Sequence, residues 1–515
     1  MNRIGACIIF HLVITGVFES TAQIVKRHNV LLLVLDDFRP AIREFGDENA
    51  ITPNIDSLAK NGYMFTNMFA QQSICAPSRN SFLTGRRPDT TKLYDFYSYW
   101  RESVGNFTTI PQYFKENGYR TQSIGKIFHP GVSSNYSDDF PVSWNEIPYH
   151  PPTEEFMNKP TCIDKSSGNL RKNLLCPVVL KLQPDETLPD IQSTLEAKRF
   201  LTEHRNTSTP FFLAVGFHKP HIPFKFPLKY LDLHDVRKFK TFDLDYPPNG
   251  LPFVAWSSYL DIRSRDDMKA LNISFPFGPI RESVKMKIRQ HYYASISYVD
   301  DLIGQLMKDV DLDNTIILLT SDHGWSLGEH AEWSKFSNYD VALNVPLIVH
   351  SPDIPTKPEN KIDRIVELLD LFPTMVDLAG LPPIESCGTN VNLETCVEGK
   401  SLLPYLAGAP TDDSIEEAFS QYPRPGTYPS VYPNSDKPKL YQIKIMGYSI
   451  RNRRFRYTAW VRFDPVTFTK DWTKIYGEEL YDHSIDPQEN VNLANRPQLI
   501  QIKSFLMSRL QTKFN

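Results

Sequence analysis

Four residues of metal-binding type stand in two adjacent pairs, and each pair directly follows an apolar run. The pairs are Asp36-Asp37 and Asp322-His323. Neighbouring carboxylates are costly to bury unless a cation compensates their charge, and a mainly carboxylate set favours a hard ion such as Ca²⁺ or Mg²⁺ over Zn²⁺. The alternative is that the aspartates cap helices that follow strands. Because the pattern occurs twice, we favour a single shared metal site.

A cysteine begins the second candidate constellation, the run Cys-Ala-Pro-Ser-Arg at residues 75–79. Pro77 is typical of the first turn of a helix, which would place Cys75 at a helix N-terminus where backbone N–H groups attract an anion. Arg79 adds a planar fork of donors that suits sulfate or phosphate oxygens. On this chemistry Cys75 is a candidate thiolate nucleophile. The alternative is a buried free thiol without chemical function.

The elements that must position these residues follow from apolar patterning. Three continuous apolar runs, typical of buried parallel strands, cover residues 29–35, 210–216 and 315–320. Helical patterns cover residues 52–59 and 283–309. This alternation predicts an α/β fold with a large, mostly parallel central sheet flanked by helices on both faces. Sites in such sheets form beyond the carboxyl ends of the strands, where the two pairs and His218 are expected.

The chain length of 515 residues indicates more than one core. We predict a large domain at 23–410 and a smaller C-terminal subdomain at 411–515. Residues 441–460 contain β-type runs without an intervening helix, which predicts an antiparallel sheet there. Two regions rich in proline and aromatic residues, 138–190 and 220–280, are interpreted as ordered loops that shape a pocket.

The composition excludes some classes of protein. A hydrophobic fraction of 41% is that of a globular chain with a sizeable core. A net charge of -4 argues against a nucleic-acid partner. It does not exclude an anionic substrate, because a basic pocket can lie within an acidic protein.

Residues 1–22 predict a signal peptide, with a positive start at Arg3, an apolar stretch and small residues before the cleavage point. The alternative is a membrane anchor, but the apolar stretch is shorter than the roughly 20 residues that span a bilayer. We see no other run of sufficient length, and therefore expect no stable membrane anchor. The sequence predicts entry into the secretory pathway.

Cysteines and sequons agree with export. Cys162 lies close to Cys176, and Cys387 close to Cys396, so each pair could close a short disulfide loop and leave Cys75 unpaired. Four Asn-x-Ser/Thr sequons predict N-glycosylation, at Asn106, Asn135, Asn206 and Asn272.

The run Cys-x-Pro-Ser-Arg followed by Leu-Thr-Gly at residues 75–85 resembles the signature of the sulfatase family. In that family the cysteine is oxidised to Cα-formylglycine, whose hydrate attacks sulfur and then expels sulfate. The resemblance implies that Cys75 becomes both the nucleophile and a metal ligand, and that Arg79 stabilises the hydrate. It also implies one divalent ion, Ca²⁺, held by Asp36, Asp37, Cys75, Asp322 and His323.

Further segments carry the same resemblance. Residues 125–129 resemble the Gly-Lys-x-x-His element of the family. There Lys126 would neutralise charge near the nucleophile, and His129 would accept the proton that lets the intermediate collapse. His218 would contact sulfate or protonate the leaving oxygen, and Lys335 would hold a sulfate oxygen. Taken singly, each is more typical of a surface lysine or a structural histidine.

Six segments narrow the resemblance to the branch of the family that acts on 2-O-sulfated iduronate. They are residues 75–101, 109–131, 211–223, 321–335, 420–425 and 444–451. The implied substrate is a terminal iduronate 2-O-sulfate in heparan or dermatan sulfate, and the implied compartment is the lysosome or the secretory route. Lys335 and Trp325 are candidates for contacting the sugar, although core packing is an equal alternative for Trp325. A formylglycine-generating enzyme is the implied partner in maturation.

The resemblance has departures and rivals. Residues 351–361 look shortened, residues 407–417 diverge, and Phe336 stands where tyrosine is expected, which leaves the fine specificity open. One rival is a hydrolase of phosphate esters on the same scaffold, whose usual nucleophile is serine or threonine. Others are a sulfatase for another sulfated glycan and a non-catalytic protein that binds sulfated glycans.

Overall fold

The computed structural model of the protein describes residues 27–164, 167–239, 247–409 and 416–514. The predicted signal peptide and the predicted boundary between residues 410 and 411 lie outside these residues. In the described chain, no helix combines the length and apolar character that crossing a membrane requires.

Strands and helices alternate over most of the chain. The strands are β1 (Asn29–Asp36), β2 (Tyr63–Phe69), β3 (Arg120–Gly125), β4 (Cys162–Ile163), β5 (Leu170–Arg171), β6 (Leu175–Val178), β7 (Phe211–Pro220), β8 (Phe224–Pro227), β9 (Thr315–Ser321), β10 (Ser326–Leu327), β11 (Trp333–Ser334), β12 (Asn344–His350), β13 (Lys361–Glu367), β14 (Glu417–Arg424), β15 (Ile445–Asn452), β16 (Phe455–Phe463) and β17 (Lys470–Asp482). The helices are α1 (Pro53–Lys60), α2 (Cys75–Thr84), α3 (Pro88–Thr91), α4 (Trp100–Ser103), α5 (Ile110–Glu116), α6 (Pro189–His204), α7 (Leu260–Arg263), α8 (Asp266–Lys269), α9 (Glu282–Met307), α10 (Asp340–Leu343), α11 (Leu371–Leu378), α12 (Leu403–Ala407) and α13 (Ile500–Phe514).

A seven-stranded sheet forms the centre of the described structure, in the order β13-β2-β12-β9-β1-β7-β3. The pairs β1–β9, β1–β7, β3–β7 and β2–β13 are parallel. β12 runs antiparallel to both of its neighbours, β2 and β9. The predicted α/β fold with a mostly parallel sheet is confirmed, with one strand reversed.

Both faces of this sheet are covered, as the continuous apolar runs predict. Along β1, Leu31 and Leu33 belong to one buried cluster, whereas Val30 and Leu32 belong to another. Successive side chains of a strand point to opposite faces, so the two clusters lie on opposite sides of the sheet. Helices α6 and α9 pack on the first side, and α2 and α11 pack on the second.

The predicted antiparallel C-terminal sheet is confirmed as four strands in the order β14-β15-β16-β17. Helix α13 packs against β15 and β16 and contributes Leu506 and Leu510 to their core. Tyr94, from the N-terminal part of the chain, lies in the same core, so the two sheets are joined by buried contacts.

Candidate active site

The carboxyl ends of β1 and β9 bring the two predicted pairs together. The strands are parallel, with Leu35 level with Ser321, so the residues that follow both strands emerge at one edge. Asp37 has a left-handed backbone with φ of 62°, which turns its side chain back toward the strand ends. Its backbone N–H donates to Asp322 Oδ1 at 3.1 Å. The expectation that these pairs meet at the sheet edge is met.

The four side chains offer ligand atoms to one small volume. His323 Nε2 lies 3.5 Å from Asp37 Oδ1 and 3.6 Å from Asp322 Oδ2. His323 Nδ1 lies 3.0 Å from Gly324 O, an arrangement that places the ring proton on Nδ1 and leaves the Nε2 lone pair facing the carboxylates. Two overlapping groups of ligand atoms within 4.8 Å of one another, both including Cys75, fit a metal ion.

The electrostatics of the aspartates supports a bound cation. Asp37 Oδ2 is buried and has no hydrogen-bond partner, which is costly for a carboxylate oxygen that no cation compensates. Burial raises the pKa of Asp37 to about 7, against the lowering effect of Lys335. For Asp36, burial also favours the neutral acid, but Lys126 leads a group of cations that hold its pKa well below the usual range. The residues therefore fit a hard divalent ion, for which carboxylate oxygens are preferred ligands.

Cys75 is the first residue of α2, as predicted, and Ile74 before it is extended. Its Sγ lies 3.5 Å from Asp36 Oδ1, 3.5 Å from His323 Nε2 and 3.0 Å from Lys335 Nζ. The side chain is 2% exposed. Burial and then the charge of Asp36 raise the pKa of the Cys75 thiol, which disfavours the simple thiolate nucleophile.

Arg79 is fully buried one turn along α2, but its donors are already committed. Nε donates to Asp322 Oδ2 at 2.9 Å, and Nη2 donates to Asp36 Oδ1 at 3.0 Å. Nη1 donates to the carbonyl oxygens of Lys126 and Ile127. In the structure the guanidinium therefore holds two carboxylates of the metal-binding cluster in place, and a role of Arg79 toward sulfate or the hydrate stays a prediction.

Lys126 reaches the site from the end of β3. Its Nζ donates to Asp36 Oδ2 at 2.5 Å. Its backbone is fixed by close approach to β7, since Lys126 N donates to Gly216 O at 3.0 Å and a Cβ at Gly216 would stand 2.0 Å from Lys126 O. Glycine at 216 is thus required to place this lysine.

Lys335 reaches the site from the loop after β11. Its Nζ donates to Asp37 Oδ1 at 2.6 Å. Its neighbours Ser334 and Phe336 have left-handed φ values of 83° and 78°, a strained backbone that needs outside support. That support comes from the C-terminal sheet, because the buried guanidinium of Arg424 donates to Phe336 O at 2.7 Å.

A family model described as Sulfatase matches residues 28–381, a span that contains every site residue above except Arg424. The chain belongs to the sulfatase family. It is 47% identical over 522 residues to iduronate 2-sulfatase of Mus musculus, covering 93% of this chain and 94% of the relative. It is 48% identical over 509 residues to iduronate 2-sulfatase of Homo sapiens, covering 91% and 92%.

A solved phosphonate monoester hydrolase of Agrobacterium radiobacter shares the fold of this sulfatase. The TM-score is 0.67 at 20% identity, with 95% of this chain and 96% of that chain covered. Together with the family, the two relatives indicate a sulfuric ester hydrolase. Sulfatases generally use formylglycine and a divalent metal ion.

The histidine beside the metal-binding cluster of this sulfatase is His221, to which the sequence analysis assigns no catalytic role. His221 Nε2 lies 3.8 Å from Asp37 Oδ2, the unpartnered oxygen. His218 points away: its Nδ1 lies 3.2 Å from Asp190 Oδ1 and its Nε2 lies 3.2 Å from Glu154 Oε1. The prediction that His218 contacts sulfate therefore does not fit the structure.

The prediction for His218 fails because β7 ends later than its apolar run indicates. The apolar run was taken to end at residue 216, but β7 continues to Pro220, which pairs with Asp36 across a register shift. The residue that emerges at the carboxyl end of β7 is therefore His221. The sequence does contain a signal for this assignment, because His221 is the second histidine of the run His-Lys-Pro-His at residues 218–221.

His129 borders the cluster and stacks near Phe96, with ring centroids 4.7 Å apart. Burial, followed by the charge of Lys126, lowers the pKa of His129 to about 3, so the imidazole is neutral. Trp325, in contrast, is 1% exposed and packs with Phe224 in the core. Of the two alternatives for Trp325, the structure favours core packing.

The disulfides and the exposure of the sequon asparagines agree with the sequence analysis. The structure bonds Cys162 to Cys176 and Cys387 to Cys396, and Cys75 is the free cysteine of the described residues. All four sequon asparagines are exposed, namely Asn106, Asn135, Asn206 and Asn272.

Proposed function

We propose that this sulfatase removes the 2-O-sulfate of a terminal iduronate in heparan sulfate and dermatan sulfate. The observation that carries the reaction is the position of Cys75 at the N-terminus of α2, with Sγ 3.0 Å from Lys335 Nζ and 3.5 Å from Asp36 Oδ1. The sugar is supported by the two relatives named iduronate 2-sulfatase, which align over more than nine tenths of this chain.

The proposed active form contains formylglycine at residue 75 and one Ca²⁺ ion. Asp36, Asp37, Asp322 and His323 would hold the ion, beside the modified side chain. The modified residue would supply the nucleophile, and the ion would supply positive charge that favours the developing negative charge. A formylglycine-generating enzyme is the proposed partner that makes the modification.

The protein's own cations would stabilise the charge that develops on the sulfuryl group. Lys126 and Lys335 lie against the carboxylates of Asp36 and Asp37, with their ammonium groups already desolvated. Preorganised charges of this kind act strongly because they need no reorganisation during the reaction. Arg79 contributes indirectly, by fixing Asp36 and Asp322.

The two histidines have different proposed tasks. His129 is neutral because its pKa is lowered to about 3, and it would take the proton released when sulfate leaves. His221 replaces His218 as the imidazole that contacts the sulfuryl group or the leaving oxygen, since it lies next to Asp37.

We further propose that the protein is a lysosomal or secreted glycoprotein. The support is the predicted signal peptide, the exposed sequons and the two disulfides. Expression in secretory cells, followed by enzymatic removal of N-glycans, should lower the mass of the purified chain. Unchanged mass would contradict the glycosylation.

The substrate proposal is tested with defined heparan disaccharides that carry one sulfate each. We expect release of sulfate from the terminal 2-O-sulfated iduronate and little from 6-O- or N-sulfated isomers. Preferential release from those isomers would remove the iduronate assignment but leave the sulfatase reaction in place. An aryl phosphate and an aryl sulfate, compared at equal concentration, test the rival phosphate ester activity.

A further inference from the structure

A cleft of about 760 Å³ opens beside the metal-binding cluster. Its lining meets the site at three points. Ile74 directly precedes Cys75. Phe96 packs on His129. Lys437, in the lining, and Lys335 of the site both place Nζ 5.8 Å from the centroid of the Phe336 ring. A volume in the range of roughly 300–1,000 Å³ is typical of ligand clefts.

The cleft is more basic than the chain as a whole. Its lining contains four cations and two carboxylates, namely Arg263, Lys269, Lys437, Lys439, Asp95 and Asp261. The complete chain, in contrast, has a net charge of -4. A locally positive cleft in an acidic chain favours an anionic ligand.

Two of the four cations are engaged by other groups of the protein, and the other two are not. Lys437 Nζ is paired with Asp261 at 2.5 Å, and Arg263 donates to three backbone carbonyl groups. Lys269 and Lys439 are exposed, and neither forms an ion pair in the part of the chain that the structure describes. Their ammonium groups are therefore available to a ligand.

Exposed aromatic rings stand among these cations. Tyr97 is 58% exposed and Tyr432 is 93% exposed, although tyrosine rings are more often partly buried. Lys439 Nζ lies 5.3 Å from the Tyr97 ring centroid. A flat ring next to a cation suits a sugar that carries sulfate or carboxylate groups, since the ring packs on the sugar face and the cation pairs with the anion.

We propose that this cleft binds the sulfated, carboxylated sugars that follow the terminal residue in the glycan chain. Lys269 and Lys439 contact their anionic groups, and Tyr97 and Tyr432 pack against the sugar rings. The inference rests on the proposed glycan substrate and deepens it: the enzyme recognises a chain, not only the residue that it desulfates.

Direct binding tests the cleft independently of catalysis. The probe is a fluorescent heparan-type hexasaccharide, titrated into wild type, the double variant Lys269→Met/Lys439→Met and a matched control, Lys181→Met/Lys474→Met. The control lysines are exposed and lie outside the cleft. We expect Kd to rise roughly tenfold in the cleft variant, as for the loss of two exposed charge contacts, and to stay within about twofold in the control.

The salt dependence gives a second readout. Because exposed charge contacts are screened by salt, the cleft variant should show a shallower dependence of Kd on salt concentration than wild type. Equal Kd values and equal salt slopes for the cleft variant and the control would overturn the inference.

Chain length separates the cleft from the reaction. With the hexasaccharide, the cleft variant should show a higher KM at unchanged kcat, whereas a small aryl glycoside of 2-sulfated iduronate should be hydrolysed as by wild type. An equal rise in KM for both substrates would also overturn the inference. If wild type binds the hexasaccharide through these lysines but releases no 2-O-sulfate, the proposed function fails and the cleft stands.

Discussion

Two clusters of acidic residues and histidine in this molecule look alike by distance but differ in whether every carboxylate oxygen has a hydrogen-bond partner. The sheet-edge cluster consists of Asp36, Asp37, Asp322 and His323, and the C-terminal cluster consists of Asp340, His483 and Glu489. The C-terminal cluster places its three candidate ligand atoms within 4.8 Å of one another, and the sheet-edge residues form two such groups that share Cys75.

The difference lies in what compensates the carboxylates. In the C-terminal cluster, Arg456 Nε donates to Asp340 Oδ1 at 2.8 Å and to Glu489 Oε1 at 2.8 Å. Arg451 Nε also donates to Asp340 Oδ2. Burial favours the neutral acid, but the charges of Arg451 and Arg456 hold the pKa of Asp340 below its usual range. In the sheet-edge cluster, Asp37 Oδ2 has no hydrogen-bond partner among the residues that the structure describes. Proximity of ligand-type residues is thus not sufficient; an uncompensated oxygen distinguishes a metal site from an ion-pair network.

The largest expected effect is on catalysis at the sheet-edge cluster. Cys75→Ala should lower sulfate release by at least about a thousandfold, because the nucleophile is lost. The same preparation should retain its thermal unfolding midpoint. Mass spectrometry of the wild-type peptide should show formylglycine in place of the thiol. Full activity with an unmodified thiol would contradict the proposed nucleophile.

Paired variants test the comparison itself. Asp37→Asn should lose bound Ca²⁺, measured by elemental analysis, and about a hundredfold or more in kcat, the scale seen when a charge-stabilising group is removed. Asp340→Asn should retain the metal content of wild type. A loss of metal in Asp340→Asn, or full occupancy in Asp37→Asn, would break the distinction between the two clusters.

The C-terminal cluster should instead contribute to stability. Arg456→Met leaves Asp340 and Glu489 buried without their shared partner, which typically costs about 3–5 kcal/mol. Chemical denaturation measures this free energy of unfolding. Arg237→Met, at an exposed pair with Asp235, is the matched control and should leave it unchanged. Equal stability of both variants would argue against the network.

The smallest expected effect concerns His218, a buried histidine whose positive charge compensates the carboxylates of Asp190 and Glu154. Burial opposes charge on His218, but contacts with Asp190 and Glu154 raise its pKa to about 9. The folded state therefore holds this proton more tightly than the unfolded state does. The stabilisation is complete below pH of about 6.5 and is lost as the pH rises through about 9, an amount of about 3 kcal/mol.

Denaturation of wild type and His218→Gln between pH 6 and pH 10 checks this sign. Wild type should lose stability over that interval, and the variant should show a flatter profile. A variant with the same slope as wild type would show that another group carries the pH dependence.

Some features of the site could be predicted from the sequence because local patterns determine them. The apolar run before Asp36 and the one before Asp322 each specify a buried strand, and parallel pairing then fixes where the aspartates meet. Pro77 likewise marks the start of α2 at Cys75. In both cases a few neighbouring residues contain the information.

Other features depend on contacts between distant segments. β12 runs antiparallel to β9 because the chain turns back between the two strands. The hydrophobic pattern of a strand does not specify its direction in the sheet. A register shift against β1 carries β7 past its apolar run to Pro220, so His221 replaces His218 at the edge. Arg79 was assigned to the substrate because its partners, Asp36 and Asp322, are far away in sequence.

The burial of Cys75 has a consequence for the chronology of biosynthesis. Its side chain is 2% exposed and belongs to a helix packed under the central sheet. A modifying enzyme needs the polypeptide around residue 75 in an open form, so the proposed oxidation has to precede the closure of the fold. A chain that folds first becomes permanently inert, and the specific activity of a preparation is then set at synthesis and not by later treatment of the mature protein.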